Sequence, residues 1–134
     1  MSDITWKYVK KLQNEASIEA FEEINKVRFP SDLKECIKQN NGGRPDKKVF
    51  NTDKEKERVF KALFSFNESD AENIYTFFPI IRKEAPDLLP FASDPGGNFL
   101  CVKDSKIVLF LHETGTIENA ADSFSDFLSK LYDI

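Results

Sequence analysis

The sequence predicts an α+β fold: an antiparallel sheet of about four to six strands flanked by N-terminal helices, a mid-chain helix and a C-terminal helix. Three observations carry this. Apolar residues recur at helical spacing through the first forty positions. Short runs rich in Phe, Val and Leu, separated by turn residues, follow from Leu88 to His112. The chain then closes on Phe124, Phe127, Leu128 and Leu131, spaced i, i+3, i+4 and i+7.

Ile4, Tyr8 (with Val9) and Leu12 suggest a short first helix with Trp6 near its edge. Ile18, Phe21 and Ile24 form a second stripe with Ser17 as its N-cap. "RFPSDLKECIKQNNGG" marks a third helix at both ends. Pro30 suits its first turn, Leu33, Cys36 and Ile37 share a face, and Asn41-Gly42 supplies a residue able to take positive φ. From Arg44 to Lys56 the chain is polar, a mobile loop or an edge strand, with Val49 and Phe50 as core contacts. "RVFKALFSF" has a strand's apolar density, although an amphipathic helix fits it too.

Ser69 and Glu72 match a capping box. It would open a helix through Ile74, Phe77, Phe78 and Ile81, which Pro79 should kink or end early and Pro86 should close. "LLPFA", "NFLCV" and "KIVLFLH" are strands. The last two are continuously apolar, as strands covered on both faces are. Asp104-Ser105 is a tight hairpin turn between them. In Asp94-Pro95-Gly96-Gly97-Asn98, Pro95 sets the first central turn position and Gly96 the positive φ of a type II turn. A strand follows rather than a helix, so a phosphate-binding loop is excluded.

The chain has 134 residues, the size of one domain, and residues 1–134 are expected to form it. No stretch approaches the roughly 20 apolar residues that cross a bilayer. The N-terminal stretch lacks a signal peptide's apolar run, so a cytoplasmic protein is expected, monomeric or weakly dimeric, with no membrane partner. Residues 1–61 carry 14 Lys+Arg against 11 Asp+Glu, a balance of +3. Residues 62–134 carry 5 against 12, a balance of −7. An acidic half repels nucleic acid and favours basic partners.

Chemistry is sparse. Cys36 and Cys101 lie in apolar contexts and read as buried hydrophobes. A nucleophile at Cys101 would need His112, the one histidine, as its base, yet a thiol inside an apolar strand is inert. Asp94, Asp104, His112 and Glu113 have no metal-ligand spacing, so neither metal nor cofactor is expected. "KKVFNTDKEKER" interleaves acids with its lysines and lacks an aromatic platform for bases, so no direct nucleic-acid contact is expected. No catalytic residue is assigned, and no enzymatic activity is expected.

In order, "FPSDLKECIKQNNGGRP", "LLPFASDPGGNFLCV", "KIVLFLHE" and "SFSDFLSKL" resemble the SUKH superfamily of fungal cell-wall regulators and bacterial immunity proteins. The resemblance covers most of the chain. Pro30, Asn41, Gly42 and Gly43 match its helix-and-turn motif. Leu89, Pro90, Gly97 and Asn98 match the strand-turn-strand, and Ser123, Phe124, Phe127 and Leu128 the closing helix. Phe29 stands where a leucine is usual, and a charged insertion replaces an aromatic-rich strand after Gly43. The resemblance implies an α+β protein-binding domain, either an immunity protein against a secreted toxin, often a nuclease, or a regulatory scaffold without a toxin. Asp94, Asp104, Glu113 and Glu118, acids at strand ends on one expected side, are the candidate partner-binding residues.

Overall fold

The computed structural model describes residues 4–134. In chain order the elements are β1 (Trp6–Lys7), α1 (Ser17–Asn25), α2 (Ser31–Asn40), β2 (Arg44–Pro45), β3 (Val49–Phe50), β4 (Arg58–Val59), β5 (Ala62–Leu63), α3 (Ile74–Glu84), β6 (Leu89–Ser93), β7 (Phe99–Lys103), β8 (Lys106–Leu111), β9 (Thr116–Ala121) and α4 (Phe124–Lys130). Strands β5 to β9 form one antiparallel meander in sequence order. β1 pairs with β2 and β3 with β4 in two small ribbons. The α+β expectation holds.

The meander is built by its turns and its apolar runs. Asp104 and Ser105 both adopt positive φ, 49° and 69°, as a two-residue primed turn requires. They set β7 against β8 with Cys101 opposite Val108. Phe99, Leu100, Cys101 and Val102 are consecutive and all buried, although the pleat sends them alternately to opposite faces. Both faces are therefore covered, as the unbroken apolar pattern predicts. In β6 the register slips between Pro90 and Ala92. Phe91 is the extra residue, and its ring meets Phe124 of α4 edge-on, 5.7 Å between centroids. A proline beside a bulge removes no needed ladder donor.

Phenylalanines hold the layers together. Phe127 packs between Phe50 and Phe60, at 5.2 and 5.8 Å. Phe77 of α3 stacks on Phe64 at 5.0 Å and lies against Phe99. Phe21 of α1 meets Phe29, Phe66, Tyr75 and Phe78. Edge-to-face pairs of this kind add about 0.5–1.5 kcal/mol beyond burial.

Several expectations are corrected. Ile4 to Leu12 form no helix: Trp6 pairs with Pro45 and its indole meets Phe60, while the Lys10 N–H donates to the Asn41 carbonyl at 2.7 Å. These distant partners override the local helical spacing. Ser17 is the first residue of α1 rather than its cap, and Ile24 is 78% exposed. Arg44 to Lys56 contributes β2 and β3, with Val49 and Phe50 buried as expected. "RVFKALFSF" divides between β4 and β5, in different sheets.

The cap of α3 is Asn73, whose side chain accepts from the Thr76 N–H. Ser69 does not serve, because Glu72 turns away to Lys61 and Ser93. The helix runs through Pro79 to Glu84 without ending. In the β6–β7 loop Gly97, not Gly96, takes positive φ, 85°. The Gly97 N–H reaches the Asp94 carbonyl and the Asp94 N–H the Asn98 carbonyl. This is a three-residue loop ending in a left-handed residue rather than a type II turn. Strand β9 went unread, since "TIENAA" lacks a strand's apolar content.

Candidate functional site

The superfamily motif residues turn inward and sew the N-terminal strap to the sheet. Asn41 is buried at the end of α2. Its Nδ2 donates to the Lys10 carbonyl at 2.7 Å and to Ser65 Oγ at 2.9 Å, and its Oδ1 accepts from the Phe66 N–H at 2.8 Å. Asn67 repeats the device: its Oδ1 accepts from the Gln13 N–H and its Nδ2 donates to the Lys11 carbonyl, both at 2.9 Å. Gly42 takes φ +69°, and a Cβ on Gly43 would come within 2.7 Å of the Asn40 carbonyl oxygen. Pro30 caps α2, Ser123 caps α4, and Phe124 and Phe127 are core. Among the described residues no buried side-chain polar atom lacks a partner. This centre is scaffold: its donors are already engaged.

The four candidate acids do not converge. Asp94 is 8% exposed and accepts from the Gly96 and Asn98 N–H groups at 2.9 and 2.7 Å and from Asn98 Nδ2 at 3.0 Å, so it holds the β6–β7 loop. Glu118 is 6% exposed. It accepts from Arg58 Nε and Nη2 at 3.1 and 2.7 Å and from Thr52 Oγ1 at 2.8 Å. Only Asp104 and Glu113 are exposed. Successive meander turns alternate ends, so the β7–β8 turn carrying Asp104 lies opposite the turns carrying Asp94 and Glu113. The expectation of a single acidic side fails on topology.

Cys101 and His112 are likewise apart. Cys101 is fully buried, and burial pushes its thiol pKa up. It pairs across from Val108, and His112 is exposed four residues further on, about 13 Å along the strand at ~3.3 Å per residue. Burial also pushes the Cys36 thiol up, to about 11. Both thiols are free. Among the described residues no group of three or more potential metal ligands is assembled.

A surface feature of note lies where the sequence suggested a helix. Two adjoining clefts, of about 500 and 440 Å³, share Tyr8 and Arg44 on their common wall. Tyr8 is 72% exposed, holds φ +57°, and has the Arg44 guanidinium 5.7 Å from its ring centroid. The local signal that could have found it is the run Trp6-Lys7-Tyr8, an aromatic–cation–aromatic alternation that suits a strand better than a helix.

These features define a class first: a small α+β protein whose five-stranded meander is stitched to an N-terminal strap through buried asparagines, with its open charges on the rim. Residues 14–130 match the SMI1 / KNR4 family (SUKH-1), and the chain belongs to that family. Comparison with curated proteins returns no match. No helix among the described residues is long and apolar enough to cross a membrane.

Proposed function

We propose that this chain is an immunity protein that binds a cognate secreted toxin domain, in the cytoplasm, and blocks its activity by occupying its surface. The family match over residues 14–130 is the observation that carries this reading. Physical support comes from the division of charge. The half from residue 62 onward has a balance of −7, a field that would draw a basic nuclease toward it and hasten encounter.

On this reading Asp104 and Glu113, exposed at the two ends of the meander, are contact residues for basic groups. Asp94 and Glu118 act indirectly, by fixing the β6–β7 loop and the β4–β9 junction. The test is co-expression of the chain with the toxin domain encoded beside its own gene. Rescue of growth supports immunity. Undiminished toxicity with the chain folded and abundant rejects it and leaves a regulatory scaffold as the reading of the fold.

A further inference from the structure

The paired clefts on either side of Tyr8 and Arg44 have a charge arrangement that selects a ligand. The first is lined by Lys10, Gly42, Ser65, Asp70 and Glu72 among others, the second by Lys7, Asp46, Lys48 and Lys61. Acids and bases are both present, but they are not equally free. Asp70 accepts from Ser65 Oγ at 2.6 Å and Asn67 Nδ2 at 3.1 Å. Glu72 pairs with Lys61 and accepts from Ser93 Oγ at 3.0 Å. Asp46 accepts from the Thr5 N–H at 2.9 Å and the Lys47 N–H at 2.8 Å. Every acid of the clefts is thus engaged by the protein itself. Lys7, Lys10, Arg44 and Lys48 are exposed and form no ion pair among the described residues.

The backbone supplies a second observation. Tyr8 is a bulky residue in the left-handed region, which crowds its Cβ against the following carbonyl and is unfavourable for a non-glycine residue. Its ring, largely in solvent, gains little packing in return. The bend itself is dictated by the anchors on either side, Trp6 against Phe60 and Lys10 on Asn41. Glycine would make that bend without strain. A strained, exposed aromatic beside a guanidinium that makes no ion pair among the described residues points to a contact that the ring makes outside this chain.

We propose that the Tyr8–Arg44 ridge and its flanking clefts are a docking surface for an acidic segment of a partner protein, with Arg44 taking a carboxylate in two-point fashion and Tyr8 covering the backbone or side chain beside it. Arginine suits a planar carboxylate, and tyrosine contributes large contact area at low entropic cost. A nucleic-acid strand fits less well, because Tyr8 is a single exposed ring and not the row of aromatic platforms on which successive bases stack. The proposal rests on the chain being a protein-binding module but not on the partner being a toxin.

The test is fluorescence anisotropy of a short labelled oligoglutamate peptide titrated with the full chain at low salt, alongside oligolysine and oligothymidylate of equal length. Wild type binds oligoglutamate in preference to both. Arg44→Ala and Tyr8→Gly each weaken that binding by about tenfold, the scale of losing one charge-assisted contact. Tyr8→Gly does so without lowering thermal stability, because it relieves the strain. Lys83→Ala, an exposed cation outside both clefts, leaves binding unchanged. Oligoglutamate binding that survives both ridge variants, thymidylate binding of equal or greater strength, or no peptide binding at all would each overturn the proposal. None of these results touches the co-expression experiment, which reads toxin neutralisation and not this surface.

Discussion

Arg58 on β4 and Glu118 on β9 form a two-point ion pair, 3.1 and 2.7 Å, that joins two separate sheets. Thr52 completes the carboxylate's shell, and beside it Asp53 closes the outer edge of β9. Its N–H donates to the Asn119 carbonyl, and its carboxylate accepts from the Asn119 N–H at 2.8 Å. The polar segment after Gly43 therefore serves as a cover for a sheet edge, which would otherwise offer unpaired backbone groups to other chains.

Removing Arg58 should cost more than its partial exposure suggests. Arg58→Ala leaves Glu118 buried with Thr52 alone, and a buried acceptor stripped of its main partner costs about 1–3 kcal/mol. Urea unfolding should show the loss with an unchanged m-value. An unaltered midpoint would mean that water replaces the guanidinium.

The same pair sets acid sensitivity. Burial raises the Glu118 pKa, but hydrogen bonds from Arg58 and Thr52 to the ionised form outweigh it and hold the group below the ordinary carboxylate range. A lowered folded pKa stabilises the fold above the unfolded value of about 4.3, and this contribution is lost as pH falls through the folded value. Glu19 is pulled down further, to about 2, chiefly by Lys38, but solvent screens it and little stability follows. Stability should be level near neutrality and fall below about pH 4. Glu118→Gln should be less stable at pH 7 and show a shallower acid slope. Parallel slopes for variant and wild type would remove Glu118 from the account.

Phe127 lies between Phe50 and Phe60, on strands β3 and just past β4, and is almost fully buried. Phe127→Ala should cost about 3–5 kcal/mol, a large share of a small domain's stability. Thermal melts read this directly. A shift within error would mean that the site collapses around the gap.

Neither thiol should react rapidly in the folded state at pH 8. Burial keeps Cys36 and Cys101 in the neutral form, and Cys101 is also shielded from reagent. Iodoacetamide should label Cys101 only after addition of urea, and Cys36, which is half-buried and not fully buried as its apolar context suggested, only slowly before it. Fast native labelling of Cys101 would contradict its place in β7.

Elements whose signals are local were legible in the sequence. α2 has Pro30 before it and the Asn41-Gly42 stop after it. The β7–β8 hairpin has its two-residue turn, and α4 has its Phe124–Phe127–Leu131 stripe. Elements defined by distant partners were not. Trp6 needs Pro45 and Phe60, and Glu118 is acceptable inside β9 only because Arg58 arrives from β4. The candidate acids were chosen as strand-end residues, a property visible along the chain. Which end each turn occupies, and whether a carboxylate is already engaged, depends on strand order and on loops folded back over the sheet. The Tyr8–Arg44 ridge was hidden for the same reason: helical spacing in "ITWKYVKKL" masked a strap that only Asn41 and Asn67 hold in place.

Neutralisation of a toxin by binding is read by isothermal titration of the purified chain with any candidate toxin domain encoded beside its gene, followed by assay of that domain's activity in the same mixture. An immunity protein forms a saturable complex, and toxin activity falls in step with occupancy. A folded chain that releases no binding heat and leaves the toxin fully active would contradict the proposed function.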